Sequence, residues 1–482
     1  MTLSNALHSA MSGLVAAGRA SGVVSANIAN AMNPGYARRS LVLAANVRSG
    51  PGVLSVGVQR HADPVLIASR RASDAASASA TALAEFHARF ETLIGKAGDP
   101  ASVGLRLADF ESSLIASASR PDSAQHLDTV AARARDLATF VSGAAEGLES
   151  LRSQADHTIA TQIERLNRAL GETRQLNARI TAASSAGAEI NAMLDQRQQL
   201  VDEINRMVPV NVVSRDHGQI ALYSEGGAIL LDGSAATLDF APVARTAPHM
   251  TVENGLLSGL KINGVPVRTD ANGAVGGGSI GALFQIRDDL SVSAQADLDT
   301  VARDLIERFE APGLDPSRLP GQPGLFTDAG AAFDPARETG LAGRIAVNAL
   351  ADPTQGGESW KLRAGLGAGM PGEVGDARLL GAFAQTLSEG RAVASGRFGT
   401  GMLDAAGMSA ALMSRAAQQR VLADQALGFA SAARTEMNRL ELERGVDTDA
   451  ELQTLMLVEQ AYAANARMIE AVDDMMQTLL RL

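Results

Sequence analysis

A mainly α-helical fold with a β-rich insertion is predicted by three observations. Apolar residues recur at spacings of three and four at both ends of the 482-residue sequence, no proline falls between Pro121 and Pro209, and near Val210 the apolar period changes to two. The expected architecture is N- and C-terminal helices pairing as a coiled coil, a long-helix bundle stem, and small antiparallel β outer domains. Composition agrees with close-packed helices: aromatics are 3% and hydrophobics 46%, so alanine, leucine and valine carry the packing.

The first element follows from Leu3, Leu7, Ala10, Leu14, Ala17, Ser21, Val24, Ile28 and Ala31, whose 3-4 repeat lays one narrow apolar seam along a helix. The seam ends at Asn33-Pro34, because the residue before proline is pushed out of the α region, and Gly35 permits the turn before Tyr36. The chain then reads as extended. At the other end, Thr448 and Glu451 have capping-box spacing, and Gly445 separates this helix from the one before it. Beyond that cap, Leu455, Val458, Tyr462, Asn465, Ile469, Val472, Met476 and Leu479 form a matching seam. A lone helix with so narrow a stripe is marginal in water, so each seam implies a partner, and the economical choice is that the two ends pair.

Between them, the stripe Leu127, Val130, Ala134, Leu137, Val141, Ala144, Leu148 and Leu151 continues with one slip through Ile159, Ile163, Leu166 and Leu170, as in one helix of about sixty residues. A shorter helix carries Ile190, Leu194, Val201, Ile204 and Val208. Alternation at Val210/Val212, Ile220/Leu222, Ile229/Leu231 and Leu238/Phe240 then reads as one small antiparallel domain, and "RIAVNAL" as a further strand. A helical stripe returns from Leu283 to Phe309, and an alanine-rich helix covers about 401 to 443. The expected division is an inner domain (1–60 and 445–482), a helical stem (61–209 and 391–444, with the helix at about 282–310 packing on it) and β-rich outer domains (210–281 and 311–390).

Several function classes are disfavoured. A net charge of -11 repels phosphate backbones and anionic lipid, and no basic cluster offsets it, so neither nucleic acid nor membrane is an expected partner. There are no cysteines, and the seven histidines lack ligand spacing, so neither a metal nor a cofactor is expected. "GGGSIG" (Gly276 to Gly281) fits both a dinucleotide fingerprint and a nucleophile elbow, but it follows a turn-rich segment and all histidines precede residue 250. It reads as a turn feeding a helix at Ala282; a hydrolase using Ser279 is the remote alternative. The first basic residue is Arg19 and no apolar run approaches a membrane span, so the chain reads as cytoplasmic or exported without a cleaved signal.

The segment "SNALHSAMSGLVAAGRASGVVSANIANAMNPGYARRSLVL" resembles the one shared by the flagellar rod, hook and hook-associated axial protein family. Asn27, Ile28, Ala29, Asn30, Pro34, Gly35 and Tyr36 fall on its N-I-A-N-x-x-x-P-G-Y pattern. "EQAYAANARMIEAVDDMMQTLLRL" is similar to the partner segment, with Gln460, Tyr462, Asn465 and Met476 on recurring positions. The middle, through "INAMLDQRQQLVDEINRMVPVNV", "GGSIGALFQIRDDL", "GLFTD" and "RIAVNALADP", resembles the members at the first hook-filament junction, although the region from about 311 to 390 is short for those with larger outer domains.

That resemblance implies a non-enzymatic structural role as the adaptor between hook and filament. It implies an extracellular location after flagellar type III export, with the terminal coiled coil lining a central channel. The implied partners are the flagellar hook protein, the second hook-associated junction protein, copies of the chain itself in a ring, the export machinery and an export chaperone. The expected assembly interface joins the seam residues Leu7, Leu14, Ile28 and Leu455 through Leu479, read from their spacing, to Asn27, Asn30, Pro34, Gly35 and Tyr36 of the family pattern, and the resemblance implies that the polar turn residues contact neighbouring subunits. Another axial protein, a hook subunit or a flagellin-like chain, is the alternative.

Overall fold

The computed structural model describes residues 3–33, 35–46, 52–96, 98–393, 397–399 and 401–481. In chain order the helices are α1 (Leu3–Asn30), α2 (Pro64–Ile94), α3 (Val103–Ser119), α4 (Ala124–Ser185), α5 (Asn191–Met207), α6 (Gly278–Gln285), α7 (Ser291–Glu310), α8 (Lys361–Ala364), α9 (Arg378–Ser388), α10 (Ala405–Glu443) and α11 (Thr448–Leu480). The long proline-free stripe is a single helix of 62 residues, and Leu127, Leu137, Leu148, Ile159, Leu166 and Leu170 along it are at most 2% exposed. Pro34, expected to end the first helix, lies outside the described residues. The chain divides into two compact units, one of Met1–Ala78, Glu164–Thr237 and Phe429–Leu482, the other of Ser79–Ile163 and Leu238–Gly428.

In the first unit, α1 packs along α11. The extended segment after Tyr36 becomes β1 (Arg39–Ala45), which pairs antiparallel with β2 (Val53–Arg60) in a two-stranded ribbon. The period-two region forms a four-stranded antiparallel meander, β3 (Val210–Ser214), β4 (Ile220–Ser224), β5 (Ile229–Asp232) and β6 (Ser234–Ala235), in sequential order. Ala221, Leu222, Leu230 and Leu231 are fully buried in it, and Asn177 of α4 ties the sheet down by donating to the Ile220 carbonyl at 2.8 Å.

One expectation is corrected here. Leu238 does not extend that meander: β7 (Leu238–Asp239) pairs with β8 (Lys261–Ile262), which pairs with β9 (Val265–Pro266), in a separate sheet of the second unit. Alternation identifies strands but not their neighbours, which are set by the turn chemistry and the surface each hairpin covers.

The second unit concentrates its scarce aromatics. Phe110 of α3, Phe309 of α7, Phe326 and Phe383 of α9 are at most 1% exposed, with ring centroids 5.2–5.9 Å apart in tilted and edge-on pairs, each worth about 0.5–1.5 kcal/mol beyond its buried area. Phe326 opens β10 (Phe326–Asp328), paired with β11 (Ile345–Val347), the strand expected in "RIAVNAL". A short ribbon of β12 (Arg391–Ala392) and β13 (Met402–Leu403) precedes α10. Between α6 and α7 the helix widens into a π-turn, Ile286–Leu290. Such turns re-aim a side chain, and this one aims Arg287, fully buried, at Asp156 of α4 at 2.8 Å, between the rings of Phe240 and Phe284. Arg152, one turn before Asp156, donates to the carbonyls of Arg287, Ala247 and Met250 at 2.7–3.0 Å. This helix pins an irregular segment that has few ladder bonds of its own.

Candidate assembly interface

The contact between α1 and α11 is built on small residues. Ala10, Ala17 and Val24, seven apart, are at most 8% exposed, whereas Leu7, Leu14 and Ile28 on the flanks are half-buried. On α11 only Val472 of the predicted seam is buried, while Leu455, Val458, Asn465 and Ile469 are half-buried and Tyr462, Met476 and Leu479 are exposed. Of the residues named here from the two predicted seams, Ala10, Ala17, Val24 and Val472 are buried, and the bulkier members lie at the margins. Two helices alone cannot surround a full apolar stripe, so the smallest side chains occupy the line of closest approach.

Gly13 marks that approach. A Cβ at this position would lie 2.7 Å from Asn465 Oδ1 and 2.9 Å from Asn465 Cγ, so the absence of a side chain on α1 makes room for the asparagine of α11. Asn465 Nδ2 meanwhile donates back to the Ala461 carbonyl at 2.9 Å.

The three asparagines of the N-terminal turn separate into different roles. Asn27 is fully buried with all its hydrogen-bonding capacity used. Its Nδ2 donates to the Arg39 carbonyl at 2.8 Å and to Glu451 Oε2 at 3.0 Å, and its Oδ1 accepts from the Tyr36 hydroxyl at 2.8 Å and the Arg39 backbone N–H at 3.0 Å. Asn30 is half-buried, donating to the Ala26 carbonyl at 2.8 Å, and Asn33 is exposed, donating to Asn30 Oδ1 at 2.6 Å. Gly35 has φ +81°, and its α-carbon faces Gln199, whose Cγ would lie 3.0 Å from an added Cβ. The Arg39 guanidinium lies 4.8 Å from the Tyr36 ring centroid. Burial raises the Tyr36 phenol, and Arg39 pulls it the other way.

Glu451 corrects the expected capping box. The residue capping α11 is Asp447, whose carboxylate accepts from the Asp449 and Ala450 N–H groups at 3.0 and 3.1 Å. Glu451, 1% exposed, instead binds Asn27 and the Arg38 Nε, the latter at 2.7 Å. The sequence did carry a signal for this: Glu451, Leu455, Val458 and Tyr462 keep the 3-4 spacing, so the glutamate extends the seam by one step. Arg38 and Gly13 carried no comparable signal.

Further bulky apolar residues, outside the predicted seams, stay uncovered. Met456 (57% exposed), Leu457 (65%), Met468 (50%), Met475 (49%) and Leu480 (86%) on α11, with Met11 and Val15 on α1, project from the terminal pair without cover. The sequence signal for them is that α11 holds more apolar residues than a single seam needs.

The glycine-rich loop does something else. Gly277 and Gly278 take φ +75° and +58°, and the helix begins at Gly278, four residues before the expected Ala282. The Ser279 hydroxyl donates to Gln162 Oε1 at 2.7 Å, an amide oxygen rather than a base. Among the described residues no cluster of His, Cys, Asp and Glu could hold a metal ion, and no helix is long and apolar enough to cross a membrane.

A family model described as the flagellar hook-associated protein FlgK helical domain matches residues 88–324, and one described as the flagellar basal body rod FlgEFG protein C-terminal matches residues 443–482. Flagellar hook-associated protein 1 of Escherichia coli is 28% identical over 243 residues, covering 48% of this chain and 44% of that protein, so this match spans under half of the relative's length. The Bacillus subtilis protein of the same name is 23% identical over 491 residues, covering 94% of this chain and 93% of that one. The solved structure of the flagellar hook junction protein FlgK from Burkholderia pseudomallei overlays with a TM-score of 0.44 at 20% identity, covering 54% of this chain and 46% of that chain.

Proposed function

Because the chain belongs to the flagellar hook-associated protein 1 family, we propose that it is a structural component of the bacterial flagellum, the adaptor at the junction between hook and filament. Its role in this reading is mechanical rather than catalytic. Its partners are the hook protein on one side, the second hook-associated junction protein on the other, and copies of itself around a ring. It reaches the flagellum through the flagellar type III export machinery, assisted by an export chaperone.

The observation that carries the reading is the set of uncovered apolar side chains on the terminal pair. Isolated apolar side chains are ordinary on a surface, but α11 leaves several bulky ones uncovered, with Leu457, Met468 and Met475 on one side of the helix and Met456 on another, and so many together mark an interaction surface. Methionine suits contacts that repeat between non-identical neighbours, because its side chain adapts to different shapes. Helices already paired through their small residues can present such a surface without unfolding first.

The test is complementation of a strain lacking this protein with the triple variant Met456→Glu, Leu457→Glu and Met468→Glu. These side chains are exposed, so the purified variant should retain the wild-type melting temperature, while cells should carry hooks without filaments. Normal filaments on the variant cells would overturn the reading. Long tubes formed by the purified wild-type chain alone would instead favour a hook subunit or flagellin-like protein.

A further inference from the structure

One buried charge in the first unit has no counterpart. Arg197 of α5 is 9% exposed, and its Nη1 donates to two neutral oxygens, Asn177 Oδ1 at 2.9 Å and the Gly218 carbonyl at 2.6 Å. Among the described residues no carboxylate pairs with it, and its Nε and Nη2 have no protein acceptor. Nor are those two atoms sealed away, for neither is among the buried atoms left without a partner. The nearby carboxylates are engaged elsewhere: Asp195 is shared by Arg39 and Arg60 at 2.6 and 2.8 Å, and Asp202 holds Arg71 at 2.6 Å. Burial first, and the charge of Arg60 second, push the Arg197 guanidinium down to about 10, so it remains a cation at neutral pH.

Arg197 lines a cleft of about 480 Å³, together with Arg60, Arg71 and apolar residues that include Ile67 and Leu194. Glu225 is the acidic residue of the wall, and it is exposed and makes no ion pair with any of the three arginines. A largely buried cation held only by neutral dipoles is unfavourable relative to water, and a carboxylate meeting the open edge of its planar fork relieves most of that penalty. The apolar wall suits methylene groups behind such a carboxylate.

We propose that this cleft is a binding site for an aliphatic carboxylate, which supplies the counter-charge to Arg197 and rests its hydrocarbon part on the wall around Ile67 and Leu194. Two sources share this chemistry, the side chain of a glutamate on another polypeptide and a free dicarboxylic acid. The inference does not depend on the flagellar reading.

The experiment titrates the full-length protein by calorimetry, at fixed ionic strength set with chloride, with glutarate and separately with an acetylated, amidated peptide bearing one central glutamate between leucine and valine. Saturable heat from at least one probe is expected, and Arg197→Met should weaken it by about tenfold or more. A second variant guards against misfolding of the first: Ala68→Glu, on an exposed residue of the same wall, supplies a tethered carboxylate and should abolish binding while raising the melting temperature. Tighter binding of the peptide assigns the site to a protein neighbour, and equal or tighter binding of glutarate assigns it to a free acid. No saturable heat from either probe, or equal affinity in Arg197→Met with native circular dichroism, overturns the proposal.

Discussion

Asn27 and Glu451 lie 424 residues apart in sequence and share a buried hydrogen bond of 3.0 Å. The asparagine is the only one of its motif that is fully enclosed, and the glutamate is the first seam residue of α11, so this bond fixes the register in which the two termini meet.

Asn27→Ala should therefore loosen both ends at once. It leaves Glu451 with Arg38 alone and strands the Tyr36 hydroxyl and the Arg39 N–H, a cost of roughly 1–3 kcal/mol. Amide hydrogen exchange should accelerate in α1 and α11 together and stay unchanged around Phe110 and Phe309. If exchange changed in α1 alone, the bond would not join the two helices in solution.

Gly13→Leu is expected to separate the helices near Asn465, because the space above Gly13 is already occupied by that side chain. Overpacking of this kind costs about 1–3 kcal/mol, and Asn465→Ala in the same chain should recover part of it. Urea denaturation of the two single variants and the double variant measures the coupling, and purely additive losses would contradict the close approach.

Arg287→Met should be the most damaging of these changes. It leaves Asp156 buried and uncompensated, and breaking such a pair costs about 3–5 kcal/mol. Asp156 would still accept the Val243 N–H at 2.8 Å, so loss should be largest in the 238–290 segment. Limited proteolysis with cleavage concentrated between β7 and α7 is the expected readout, and a wild-type digestion pattern would count against it.

Asp299 predicts a pH dependence. Burial pushes its carboxyl up from 3.8 to about 6, against the pull of hydrogen bonds from Ala342, Gly340 and Gln295. Between these values the folded state holds a proton that the unfolded state has released, so stability falls as pH rises through this window, by roughly 3 kcal/mol in all. Below about 3.8 both states are protonated and the penalty is absent. Unfolding free energies of the wild type and Asp299→Asn should differ in slope between pH 4 and 6 and run parallel above it, and parallel curves throughout would refute the shift.

Much of this architecture was legible because helical patterns are local. The 62-residue α4 was readable from a stripe with no proline in it, and the terminal pairing from two seams of equal period. What resisted reading depends on distant partners. Glu451 looked like a cap because its three-residue distance from Thr448 fits one, yet its carboxylate is drawn to Asn27 and Arg38 from the far end of the chain. Leu238 looked like the next strand of a meander and pairs instead with Ile262. Arg197 carried no signal, since an unpaired buried cation is defined by what surrounds it in space.

The pairing of α1 with α11 also has a kinetic meaning. It closes a loop holding almost the entire polypeptide, and the entropy of closing a loop grows with the logarithm of its length. Contacts between residues close in sequence, such as those along α4 and in the β3–β4 hairpin, form first and shorten the effective tether between the ends. Refolding should then proceed from the middle outward, with protection of α1 and α11 as its slowest phase, and until that phase the small-residue seam stands open to any other helix of matching period.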